Sequence, residues 1–191
     1  MKKGIILLVV IVFCLNFFLL PGAANGEYSS GGFCGENYDN LSWKFDSVTG
    51  VLSIEGSGSM EYYGFQDAPW FSYAEDITTI ILPDGLTSIP GYAFQNCRIT
   101  SIVIPETVTN ISIYAFGGCA ELIYNEYGGA KYLGSYDNPY FVLMQATDLN
   151  ITACDISENT KLIAGNAFGG CENLTTISIP NSVVAIGEYA F

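Results

Sequence analysis

Histidine is absent from this 191-residue chain, and Lys and Arg together number only six against 19 Asp and Glu. The first absence removes the base that usually activates a serine or cysteine nucleophile. It also removes the ligand that most often joins cysteine at zinc. Lysine can stand in as a base, yet Lys44, Lys131 and Lys161 lie in no recognisable motif. The shortage of cations is equally restrictive. A net charge of −13 repels phosphate backbones and anionic membrane surfaces, so nucleic acid is excluded as a partner. No catalytic residue, cofactor or metal site is expected.

What is present begins with an export signal at 1–24. Lys2-Lys3 form its basic end, Gly4 to Leu20 its apolar run, and Gly22-Ala23-Ala24 its small-residue cleavage site. The run contains Asn16 and falls short of the ~20 residues a membrane span needs, so no membrane insertion is expected after cleavage. Cleavage removes Lys2 and Lys3 and takes the net charge from −13 to −15. It leaves Cys34, Cys97, Cys119, Cys154 and Cys171, and an odd number cannot form a complete disulfide framework. Cys97, Cys119 and Cys171 each follow a phenylalanine by three residues, which suits a stack of small buried thiols. A disulfide between two of them is the alternative.

Those phenylalanines close a recurring phrase. Ile80-Ile81-Leu82-Pro83 leads to Ile89 and Ala93-Phe94; Ile102-Val103-Ile104-Pro105 leads to Ile111 and Ala115-Phe116; Ile177-Ser178-Ile179-Pro180 leads to Ile186 and Ala190-Phe191. Proline precedes phenylalanine by 11 residues each time, and Pro83 precedes Pro105 by 22. Cys154-Asp155-Ile156-Ser157, with Ile163 and Phe168, is a degenerate copy. Its Ser157 and Asn159-Thr160-Lys161 replace the usual proline and apolar residues, which predicts a looser coil. A period of this kind means units that bury apolar faces against their neighbours. Alternation points Ile102 and Ile104 inward, with Ser101 and Val103 outward. Proline ends each strand, and Ser112–Phe116 is expected to form a short helical turn. Ile104, Ile156 and Ile179 are expected to share one elongated interior.

Residues 25–76 lack the repeat and read as a β-rich N-terminal cap. Leu41–Phe45 and Val51–Glu55 alternate as strands joined by a turn at Asp46–Gly50, and Gly56-Ser57-Gly58-Ser59 ends the second. The aromatics Tyr62, Tyr63, Phe65, Trp70, Phe71 and Tyr73 read as cap core. Repeats occupy 77–122 and 154–191. Between them, 123–153 carries a hairpin signature around Ser135–Pro139, expected to project from the stack or to pair with its edge. No polar capping coil follows Phe191, so the sequence reads as the first part of a longer protein, or of an oligomer that covers the end.

The unit Ile-x-Ile-Pro-x-x-Val-x-x-Ile-x-x-x-Ala-Phe-x-x-Cys resembles the BspA-type leucine-rich repeat of bacterial, and some protozoan, surface proteins. Cys34-Gly35-Glu36-Asn37, Leu41-Ser42-Trp43 and Ala68-Pro69-Trp70 resemble the leader found before such repeats, and Tyr132-Leu133-Gly134 with Asn138-Pro139-Tyr140 resembles a recurrent insert. The resemblance implies a leucine-rich repeat solenoid of short parallel strands and short helical turns. It further implies a secreted or cell-wall-bound protein, in some members an adhesin, and supplies no shared catalytic residues.

Recognition is therefore sought on the surface. The outward strand positions Thr79, Ile81, Ser101, Val103, Asp155, Thr176 and Ser178, with Ala153, form the candidate binding strip. Tyr132, Tyr136 and Tyr140 of the insert form a second contact region, since tyrosine favours interfaces. Asp84, Glu106 and Glu158 recur just after the strand, as a solvated acidic rim or a weak cation site. The expected function is interaction with an extracellular protein or glycan, from a secreted or cell-surface location. The alternatives are a structural spacer, or an accessory segment of a secreted enzyme whose catalytic domain lies beyond Phe191. Ligand identity and oligomeric state are not legible in the sequence.

Overall fold

The computed structural model describes residues 28–191. The export signal read at 1–24 lies outside them. Strands β1 (Tyr28–Gly35), β2 (Tyr38–Asp46) and β3 (Val51–Ser59) form an antiparallel meander. Leu41, Trp43 and Phe45 of β2 and Leu52 and Ile54 of β3 point to one face and are buried, as their alternation requires. The Asp46 carboxylate accepts backbone hydrogen bonds from Val48 (2.9 Å) and Thr49 (3.3 Å), which closes the turn and holds its pKa below the usual range. Strand β1, with Ser-Ser-Gly-Gly at its centre, carries no alternation that sequence reading could use. The Gly-Ser-Gly stretch does not end β3. Gly56 (φ 112°) and Gly58 (φ 103°) bend the strand and let it run to Ser59.

β3 then becomes the parallel partner of the first repeat. Its early half pairs with β4 (Thr79–Ile81), matching Leu52 to Ile80, and its late half with β5 (Gly85–Ile89). β5 pairs in parallel with β6 (Asn110–Ile111), so Ile89 lies beside Ile111. Trp70 prolongs the repeat's phenylalanine column into the cap. It stacks on Phe94 (5.8 Å, 20°), which stacks on Phe116 (5.6 Å, 24°), and its Nε1 donates to the Ala93 carbonyl at 2.7 Å.

The return side of each repeat is not helical. Among the described residues the only helix is the 3₁₀ turn Phe71–Asp76. Tyr92, Tyr114, Asn166 and Tyr189 occupy equivalent places with φ of 59°, 61°, 57° and 55°. A left-handed residue there interrupts any right-handed turn. Inter-repeat hydrogen bonds hold the conformation, including Tyr92 N to Tyr114 O (3.2 Å) and Phe94 N to Ala115 O (2.8 Å).

The insert neither projects freely nor merely edges the stack. β7 (Asn125–Tyr127) and β8 (Ala130–Leu133) form a hairpin that turns at Gly128-Gly129, and β8 pairs antiparallel with β9 (Val142–Ala146). After β10 (Ala153–Asp155), β9 pairs in parallel with β11 (Leu162–Ile163), setting Leu143 beside Ile163. The last repeat adds β12 (Thr176–Ser178) beside β10, and β13 (Ala185–Ile186) beside β11 with Ile163 against Ile186. Leu143 of the insert, rather than Ile111 of the second repeat, thus lies beside Ile163 in the ladder.

Neighbouring residues of β8, β9 and β11 face opposite ways. Leu133, Val142 and Leu162 enter a core shared with the cap and the first two repeats, while Tyr132, Leu143 and Ile163 enter a second core with Cys154, Ile156, Phe168 and Ala190. The expectation of one uninterrupted interior is corrected accordingly. Ile104 belongs to the first core and Ile156 to the second, with a strand layer buried on both faces between them. Ile179 is 42% exposed, as are Ile186 and Phe191 in larger measure. Tyr132, read as a projecting aromatic, is fully buried. In the degenerate repeat Thr160 fills the place of Val108, fully buried and with its hydroxyl unpartnered, which costs about 1–3 kcal/mol.

Candidate functional surfaces

Thr79, Ile81, Ser101, Val103, Asp155, Thr176 and Ser178 are all exposed, Val103 at 65%. They do not form one continuous ladder. Thr79 and Ile81 flank Val51 and Ser53, whereas Ala153 and Asp155 flank Thr176 and Ser178. Ser101 and Val103 lie in a segment outside any strand, tied to its neighbours by bonds such as Ile123 N to Thr100 O at 3.0 Å. The carboxylate of Asp155 is engaged by Tyr127, whose hydroxyl donates to Oδ2 at 3.3 Å. That charge raises the pKa of Tyr127. On the acidic rim, Asp84, Glu106 and Glu158 are exposed. Among the described residues no three His, Cys, Asp or Glu side chains gather closely enough to hold a metal ion.

The most distinctive surface is one that sequence reading passed over. The left-handed backbone before each Ala-Phe swings Tyr92, Tyr114 and Tyr189 outward while Phe94 and Phe116 turn into the core. Tyr92 and Tyr114 stack at 5.5 Å and 22°, and Phe65 of the cap meets Tyr92 edge-on at 5.8 Å. Beside this ladder runs a groove of about 270 Å³, walled by Tyr62, Tyr92, Tyr114 and Tyr189, with Gly165 and Glu188 among its lining residues. Tyr62 and Phe65, read as cap core, are largely exposed, whereas Tyr63 and Trp70 are buried as expected. The overlooked signal was periodic: Tyr-Ala-Phe recurs at 92–94, 114–116 and 189–191, and only its last two letters were given a role.

The cysteines among the described residues are all free thiols. Burial pushes the pKa of Cys34 up to about 12 and those of Cys119 and Cys154 up to about 11; burial and its neighbour Cys119 raise Cys97 as well. Cys171 alone is partly exposed. Iodoacetamide is therefore expected to alkylate Cys171 first in the native protein, as read by peptide mass spectrometry. Equal labelling of Cys97 and Cys171 would contradict this packing.

The family model described as "BspA type Leucine rich repeat region" matches residues 67–136 and 145–191, in six copies and over more than half of the chain. The chain belongs to this BspA-type leucine-rich repeat family. The match begins at Asp67, upstream of the first repeat read from the sequence, in keeping with Trp70 heading the phenylalanine column. Among solved structures, the chain is similar to a leucine-rich repeat protein from Eubacterium ventriosum (16% identity, 85% of this chain, 63% of that chain, TM-score 0.32). It is also similar to a leucine rich cell surface protein from Faecalibacterium prausnitzii (28% identity, 71% of this chain, 38% of that chain, TM-score 0.35). This BspA-type chain aligns with less than two thirds of the length of each. No curated protein matches it. Among the described residues no helix is long and apolar enough to cross a membrane.

Proposed function

We propose that this leucine-rich repeat protein is exported and works at the cell surface or beyond it as a non-catalytic interaction module, binding an extracellular protein or glycan. In this reading the repeats stack as a solenoid whose register carries a recognition surface. The observation that carries the proposal is the aromatic ladder Phe65–Tyr92–Tyr114, with Phe65 and Tyr114 exposed and Tyr92 half-buried, continued by the exposed Tyr62 and Tyr189 along one groove. Exposed contiguous aromatics mark interaction sites, because an apolar ring left in water gains by being covered. The strand strip around Val103 is discontinuous, so we rank it second. A spacer would have no use for the ladder.

The purified secreted chain, applied to arrays of immobilised extracellular proteins and glycans, is expected to bind at least one saturably. A blank array would overturn the reading in favour of a spacer. Where Val103→Asp abolishes binding and changes in the ladder do not, the strand strip is the recognition surface.

A further inference from the structure

The tyrosine ladder lacks one rung. Tyr92, Tyr114 and Tyr189 occupy equivalent positions in repeats one, two and four, but the third repeat has Asn166 there. The repeats remain in contact at this level: Gly165 N donates to the Ile111 carbonyl at 2.8 Å, and Asn166 N to the Glu188 carbonyl at 3.0 Å. Two inter-strand steps of about 4.8 Å therefore separate the Tyr114 and Tyr189 positions, roughly 10 Å in all. Tyr92 stacks on one face of Tyr114. Tyr114 is 55% exposed and Tyr189 81%, and both line the same groove. A flat group in van der Waals contact with two rings needs about 3.5–4.0 Å on each side, so the gap admits one such group.

The chemistry around the gap selects among flat groups. Tyrosine faces carry the negative end of the ring quadrupole and attract cations. Glu188 lines the groove, and no lysine or arginine does. The whole chain carries −13. An anionic sugar or phosphate is disfavoured by all three features. A guanidinium satisfies them: it is planar, weakly hydrated, permanently charged, stacks on aromatic faces and pairs with carboxylates.

We infer that the missing rung is a binding slot for an arginine side chain of a basic protein partner, stacked between Tyr114 and Tyr189 and paired with Glu188. This rests on the interaction-module reading and names the partner chemistry for it.

The repeat itself supplies conservative variants. Asn166 shows that asparagine fits this backbone position, so Tyr114→Asn and Tyr189→Asn copy a residue already present in the left-handed site. Asn166→Tyr does the reverse and inserts the absent ring. The probe is a fluorescently labelled Gly-Arg-Gly-Arg-Gly-Arg-Gly peptide, with lysine and citrulline versions, titrated into the full secreted chain. The arginine peptide is expected to bind at least about tenfold more tightly than the citrulline peptide. Its affinity should fall as salt rises from about 0.05 M to about 0.5 M. Tyr114→Asn and Glu188→Gln are each expected to weaken it about tenfold, Asn166→Tyr to abolish it, and Val48→Ser, in the exposed turn of the cap, to leave it unchanged.

Equal binding of the arginine and citrulline peptides would overturn the proposal, as would a full-affinity Asn166→Tyr variant. Saturable binding of neutral cellohexaose lost in Tyr114→Asn, without arginine-peptide binding, would replace it with a glycan site and leave the interaction-module reading standing. Self-association by sedimentation that Tyr114→Asn abolishes would instead make the groove a contact between copies. Arrays and peptides both blank would remove the slot and the module together.

Discussion

Replacing Phe94 with alanine is expected to destabilise the protein by about 3–5 kcal/mol, the usual range for emptying a buried aromatic site. Phe94 is fully buried and is the middle ring of the column Trp70–Phe94–Phe116, at 5.8 Å and 5.6 Å from its neighbours. Its removal leaves a cavity bounded by two rings that cannot close together, because each neighbouring unit is tied to the backbone of the Phe94 repeat: Phe94 N bonds to Ala115 O at 2.8 Å, and Trp70 Nε1 to Ala93 O at 2.7 Å. Domains are typically stable by only about 5–15 kcal/mol, so the loss is a large part of the whole. Urea unfolding followed by tyrosine and tryptophan fluorescence measures it. Phe191→Ala supplies the contrast, since Phe191 stacks on Phe168 at 5.3 Å but is 58% exposed, and its loss should cost clearly less. A change below about 1 kcal/mol for Phe94→Ala would show that the column is not the spine linking cap to repeats.

The same column shows what the sequence discloses and what it conceals. The spacing from proline to phenylalanine placed the buried rings because burial and period are both properties of the one-dimensional chain. The pairings Ile89 with Ile111 and Ile163 with Ile186 followed from it. Trp70 was harder to place, since the unit it heads lacks the Ile-x-Ile-Pro phrase and shares with the others only an aromatic in one position. The insert was misjudged for a different reason. Alternation within Tyr132-Leu133 and Val142-Leu143 does not reveal that both faces of those strands are covered, so a strand layer between two cores looked like a hairpin at a surface. The tyrosine groove was obscured by backbone conformation. Only a left-handed φ at Tyr92, Tyr114 and Tyr189 sends those rings outward, and sequence pattern favours glycine or asparagine there rather than tyrosine. Asn166, the one residue that fits the usual preference, is the residue that opens the gap.

Gly56→Ala is expected to be nearly as damaging and to reach the groove from the other end of the molecule. With φ at 112°, Gly56 occupies backbone space that L-residues scarcely enter, at a cost on the order of 1–3 kcal/mol. A β-carbon there would also run into the backbone carbonyl oxygen of Asn40, which belongs to a paired strand and cannot turn aside as a flexible side chain would. The position matters because β3 changes partner at this point: Gly56 is still paired with Leu41 of β2, and Ser57 is already paired with Gly85 of β5. Straightening the bend breaks one register or the other. The segment after β3 is anchored by Met60 N to Ser88 O (3.4 Å) and Glu61 N to Cys34 O (2.9 Å), and it carries Tyr62 to the groove and Phe65 to the ring of Tyr92. The expected result is therefore twofold: a lower melting temperature, by about 2–4 °C per kcal/mol lost in a chain of this size, and weaker ligand binding, although Gly56 itself does not line the groove. A variant that melts like the wild type would mean that β3 can bridge meander and repeats without the glycine bend. One that melts early yet binds normally would detach Tyr62 and Phe65 from recognition and confine it to the tyrosines of the repeats.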